Sequence, residues 1–196
     1  MPIINLPVKI VMDKKKIIMQ TQQWLTDVIV GLNLCPFAKR VVVADTIRFT
    51  VSESTTAEQL LEQFVAEVEL LSNTDLTEVE TTVLIVPEML AEFDDYNQFL
   101  DLLDQVLLQF NWQGVFQVAS FHPYYCFAGA HPDDNENLTN RSPYPILHIL
   151  REGSVAKAIA QYPDVDKVPE RNIKRVAGLS DKEKQLLFPY LFATDS

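Results

Sequence analysis

His122 closes the apolar run Gly114–Phe121, precedes Pro123 and opens the polar stretch His122–Asn140. An imidazole at a strand end titrates near neutral pH and can act as base, metal ligand or phosphate contact. Its plainer use is to hydrogen-bond the turn that follows. Arg141 ends the same stretch, directly before Ser142-Pro143. That pair reads as a helix cap with proline at the first helical position, so its free amides, with Arg141 beside them, would bind an anion. Asn140 and Asp134 are expected at its rim, although Arg141 could instead tether the loop to Asp133 or Asp134. On the expected helix Tyr144, His148 and Arg151 follow at spacings that share one face. Cys35 precedes Pro36 at the start of a short expected helix, with Lys39 and Arg40 close behind. Helix amides and nearby cations lower a thiol's pKa, whereas a merely buried cysteine is inert. The candidate catalytic residues are thus His122, His148 and Cys35. The candidate anion-binding residues are Arg141, Asn140, Ser142, Lys39, Arg40, Arg151 and Asp134.

Other chemistries are not indicated. His122, His131, His148, Asp133 and Asp134 show no diagnostic metal-ligand spacing, so no metal is expected. The five glycines are scattered singly and no Gly-x-Ser-x-Gly turn occurs, which leaves the common nucleotide cofactors without a loop to hold them. With 27 acidic against 16 basic residues the net charge is −11, unfavourable for binding a phosphate backbone, so no nucleic-acid partner is expected. Two cysteines make no disulfide framework, and Met1–Met12 holds no signal-like or membrane-spanning run. A cytoplasmic location without membrane contact is the expectation. The oligomeric state is not legible.

The elements that must position these residues follow from periodicity. Residues 1–13 read as a tail or an edge segment, and 14–196 as one domain. Thr21, Trp24, Leu25, Val28, Ile29 and Leu32 form an apolar stripe on a helix from about Lys15 to Leu32. Ile47, Phe49 and Val51 alternate as a strand, and Thr55 with Glu58 reads as a capping box for a helix carrying Leu60, Phe64, Val68 and Leu71. Val83–Val86 is a strand covered on both faces; Asp94 or Asp95 caps a helix reaching Phe110, and Gly114–Phe121 is the next strand. The expected class is α/β, or α+β. It is a two- or three-layer domain on a three- to four-stranded, largely parallel sheet with a βαβαβ core and a helical C-terminal third. Parallel strands would bring Ser52, Glu53, Glu88 and His122 to one sheet edge. After Arg141 the expectation is helical throughout: a helix opened by Ser142 that buries Ile146, Leu147, Ile149 and Leu150, then Ser154–Tyr162, Pro169–Ala177, and a capping box at Ser180 and Glu183.

Longer motifs carry a resemblance. Trp24-Leu25, Gly31-Leu32-Asn33-Leu34-Cys35-Pro36-Phe37-Ala38, Glu80-Thr81-Thr82, Phe93–Asn97, Phe116–Pro123 and Asn140–Pro145 running into His148 and Leu150-Arg151-Glu152 together resemble a bacterial family, domain of unknown function 1415. The resemblance spans roughly Thr21 to Ile173 and implies one domain, with no activity or ligand attached. Cys-Pro-Phe-Ala alone resembles the redox or glutathione-binding helix start of thioredoxin-like proteins. It lacks their second cysteine, and a helix stands where they place a strand. The functional expectation is a small enzyme acting on an anionic metabolite through a His/Arg site. The alternatives are a non-catalytic ligand- or protein-binding module with Tyr124, Tyr125 and Phe127 as anchors, and a thiol-dependent redox protein using Cys35.

Overall fold

The computed structural model describes residues 12–162 and 164–192. The expected N-terminal tail or edge segment therefore lies largely outside the described residues. Four strands form one sheet: β1 (Ile47–Val51), β2 (Thr81–Ile85), β3 (Phe116–Phe121) and β4 (Ile146–Arg151), in the order β1-β2-β4-β3. β1 and β2 pair in parallel, while β4 runs antiparallel to both β2 and β3. The sheet is thus mixed rather than largely parallel. The first three strands still point the same way, as the crossover helices require, but β4 separates β3 from β2.

β4 corrects the largest error of the sequence reading, which made these residues a helix. Its run Ile146-Leu147-His148-Ile149-Leu150 sits at the centre of the sheet with four of the five residues buried. That is the same near-continuous apolar signature as β2. Ser142 and Tyr144 each precede a proline, and the proline ring drives the preceding residue out of the helical region. Two such restrictions, two residues apart, outweigh the preference for proline at a helix start.

Alternation along the strands sorts the site residues onto two faces. Leu84, Leu147 and Ile149 pack against α3 (Ala57–Asn73) and α4 (Phe93–Gln109) in one core. Val83, Ile85 and Ile146 pack on the other face against α1 (Lys14–Trp24) and its continuation. The remaining α-helices of the described chain are α2 (Ala38–Val43), α5 (Glu152–Ala160), α6 (Val168–Ala177) and α7 (Asp181–Leu187). The Ser180–Glu183 capping box is present. The cap of α3 falls one residue later than expected, with Thr56 Oγ1 accepting from the Gln59 amide. The first turn of α4 contains Asp94 and Asp95, but neither is its cap.

The first helix does not run uniformly to Leu32. Leu25–Val30 is a π-helix, and the amide of Leu34 still donates to the Ile29 carbonyl at 2.9 Å. Gly31 is required here, because a Cβ would lie 2.2 Å from the Asp27 carbonyl oxygen. Asn33 then takes a left-handed φ of 55°, a conformation asparagine tolerates better than most residues. The widened turn swings the chain so that Leu34 and Cys35 face α6 and the end of β3. Single-turn π segments recur at functional sites.

Candidate functional site

The predicted residues do not converge. His122 is fully buried on the α4 side of the sheet, between Phe93 and Tyr96 with ring centroids 5.4 and 5.0 Å away. Its Nδ1 accepts from the Tyr124 amide at 3.0 Å, and its Nε2 donates to the Leu90 carbonyl at 2.9 Å. Burial lowers its pKa despite that carbonyl, so the ring stays neutral with both nitrogens occupied. His148 lies on the opposite face, near Phe121 at 6.3 Å. The Thr81 hydroxyl donates to the Ile149 carbonyl at 2.6 Å and accepts from His148 Nε2 at 2.7 Å, and burial pushes this imidazole down to about 4.

The anion site has no helix to rest on, since Ser142 stands in a turn before β4 and its hydroxyl donates to the Tyr144 carbonyl at 2.6 Å. Arg141 donates from Nη2 to the Pro132 carbonyl at 2.6 Å and from Nε to Tyr125 at 3.4 Å. Its own carbonyl accepts from Trp24 Nε1 at 2.9 Å and from the Tyr190 hydroxyl at 3.0 Å. Arg141 therefore ties the loop to α1 and to the C-terminal segment through carbonyls, where the sequence suggested an acidic tether. Asp134 is exposed and accepts from the His131 amide at 2.7 Å. Lys39 is exposed, and Arg40 is held by a two-pronged ion pair to buried Glu80. Arg151 faces away from His148, reaching back to the Leu71, Thr74 and Val79 carbonyls at the end of α3. On a strand, residues three apart lie on opposite faces, so the shared helical face of Tyr144, His148 and Arg151 is not formed.

Asn140 and Cys35 do meet, in a cleft of about 540 Å³. Ile29, Leu34 and Cys35 come from the π-helix and the turn after it, Phe121 from the end of β3, and Phe127, Glu136, Thr139 and Asn140 from the long loop. Val168, Pro169, Asn172 and Ile173 of α6 close the remaining side. Asn172 Nδ2 donates to the Leu34 carbonyl at 2.6 Å and Arg171 Nη2 to Asn33 at 3.3 Å, which anchors α6 on the Cys35 turn. Beneath the cleft a cavity of about 40 Å³ reaches His148 and shares Ile29, Cys35 and Phe121 with it. That volume exceeds what one water needs.

Cys35 does not cap a helix, because α2 begins only at Ala38 and Pro36 lies in the preceding turn. Burial pushes its thiol up, against the Phe37 and Ala38 amides that pull it down. In a Cys126→Ser background the alkylation rate of Cys35 by iodoacetamide is expected to be below that of a small free thiol at neutral pH. It should still be rising at pH 9.0, the ordinary thiol value. A rate that levels off near neutrality would contradict this.

Sequence reasoning missed Ile29, Glu136, Asn172 and Ile173. Ile29 belongs to a helix stripe that reads as ordinary core, Asn172 and Ile173 to a C-terminal helix with no site signal of its own, and Glu136 to a loop without periodicity. Only the location of the loop pointed towards them. Among the described residues no group of three or more His, Cys, Asp or Glu side chains is arranged to hold a metal, and no helix is long and apolar enough to cross a membrane.

Residues 16–185 match the family model described as "Protein of unknown function (DUF1415)". The chain belongs to that family. No curated protein and no solved structure matches it. The match takes in every segment that lines the cleft, from the π-helix to α6.

Proposed function

We propose that this member of the family binds a small molecule with an apolar body in the cleft between the Cys35 turn, the loop after β3 and α6. The observation that carries the reading is the cleft itself. Four separate segments build a hollow of about 540 Å³ whose walls are mostly Ile29, Leu34, Phe121, Phe127, Val168 and Ile173, with a few polar groups from the loop and α6. This size and composition are those of small-molecule sites. Binding has more support than proton transfer, since His122 has no free ring nitrogen and does not line the cleft. Thiolate chemistry is opposed by the burial that keeps Cys35 protonated. A protein-docking role for the loop aromatics lacks a ridge: Tyr124 is exposed, while Tyr125 and Phe127 are half-buried against each other at 4.9 Å.

The neutral fluorophore N-phenyl-1-naphthylamine tests the reading. Its emission is expected to rise saturably with the wild-type chain. Ile173→Trp, which fills the cleft from the partly exposed face of α6, should weaken the apparent affinity by roughly tenfold or more, about 1.4 kcal/mol, with an unchanged melting temperature. Equal affinity in the two proteins would place the probe elsewhere and sink the proposal.

A further inference from the structure

We propose that the natural ligand of the cleft is a small amine or ammonium ion with an apolar body, its positive charge held at Glu136; the inference rests on the binding reading above. Glu136 is the one Asp, Glu, Lys or Arg among the lining residues. It is half-buried, and none of the six ion pairs among the described residues includes it. Lys184 on α7 reaches the same turn but donates to Asn135 Oδ1 at 2.8 Å instead. A ligand ammonium beside this carboxylate would form a charge-assisted hydrogen bond that none of those six pairs supplies.

The polar neighbours point the same way. The Thr139 hydroxyl proton is used within the loop, on the Glu136 carbonyl at 2.8 Å or on Asn140 Oδ1 at 3.1 Å. Asn140 Nδ2 donates to Ser120 at 3.1 Å, and Asn172 Nδ2 to Leu34. Donors among these polar groups are therefore largely engaged inside the protein. Lone pairs on the Thr139 and Asn140 oxygens and both carboxylate oxygens of Glu136 remain to accept, which suits a ligand that donates. Phe121 and Phe127 line the same cleft, and aromatic rings attract cations. The net charge of −11 draws cations towards the molecule and repels anions. The anionic metabolite expected from the sequence would meet the opposite of what it needs here.

Displacement of N-phenyl-1-naphthylamine by n-hexylammonium, n-hexanol and hexanoate separates the possibilities. The ammonium should displace the probe at a concentration roughly tenfold below that of hexanol, the scale of a charge-assisted hydrogen bond, and hexanoate should be weakest. Glu136→Gln should erase the preference, read as the ratio of hexylammonium to hexanol displacement within each protein, and Glu136→Asp, which keeps the charge, should retain most of it. Hexanol equal to hexylammonium, or a preference that survives Glu136→Gln, overturns the amine inference while the binding reading stands. Failure of the fluorophore itself to bind overturns both.

Discussion

Replacing Asn137 with alanine is expected to lower the unfolding free energy by about 2 kcal/mol and to abolish probe binding in the cleft. Asn137 has no exposed surface and organises the long loop from within. Its Oδ1 accepts from the Phe127 amide at 3.0 Å, and its Nδ2 donates to the His131 and Pro132 carbonyls at 2.8 and 3.2 Å. Alanine leaves the Phe127 amide without that acceptor. Each buried group stranded in this way costs about 1–3 kcal/mol. The two carbonyls keep other donors, from Asp134 and Arg141, so the total stays near the middle of the range. Because Phe127, Glu136, Thr139 and Asn140 all belong to this loop, its loosening also removes one wall of the cleft. Urea unfolding measures the first effect. Limited proteolysis should show new cleavage confined to residues 123–140. A stability change under about 1 kcal/mol, with wild-type protection of the loop, would contradict the role given to this amide.

Acid is expected to destabilise the chain well before its carboxylates titrate, and His148 is the main cause. Burial holds its folded pKa at about 4 against an ordinary 6.5. The unfolded chain therefore binds the proton first as pH falls, and stability drops from about pH 6.5 until the folded state also protonates near pH 4. Over that window the loss from this residue is about 3 kcal/mol. His122, whose pKa burial also lowers, adds in the same direction. Glu80 acts in a lower window. Burial would raise its carboxyl, but the Arg40 guanidinium and the Ser154 hydroxyl outweigh it and hold the group below 4.5, so its contribution is lost only as pH falls through that folded value. His148→Gln keeps a donor for Thr81 Oγ1 and has no proton to gain. Its urea-unfolding free energy should change with pH by about 3 kcal/mol less than wild type between pH 6.5 and 4. Parallel pH profiles for the two proteins would show that His148 is not held neutral by burial.

The helices and first three strands were legible because their signals are local. The stripe on α3, the unbroken apolar run of β2 and the Ser180 capping box each follow from residues close in sequence. β4 was misread because Ile146–Leu150 suits a buried helix or a buried strand equally, and the proline rule that favoured the helix competed with the pre-proline restrictions that favour extension. That one error displaced much of the site. It gave Ser142 a helix start, put His148 and Arg151 on one face, and drew Arg141 into an anion pocket, whereas its backbone and guanidinium serve as a knot among Trp24, Tyr190 and Pro132. His122 failed differently. Its position at the strand end was right, but the Leu90 and Tyr124 backbone groups that occupy both nitrogens come from turns no periodicity reveals. Cys35 and Asn140 do line the cleft, but the face opposite them comes from α6, far along the chain.

A crystal structure with N-phenyl-1-naphthylamine at saturating concentration tests the central claim most directly. Its rings are expected between Phe121, Phe127 and Ile173, with no density for it on any other face. A water-filled cleft beside fully occupied probe elsewhere would contradict it.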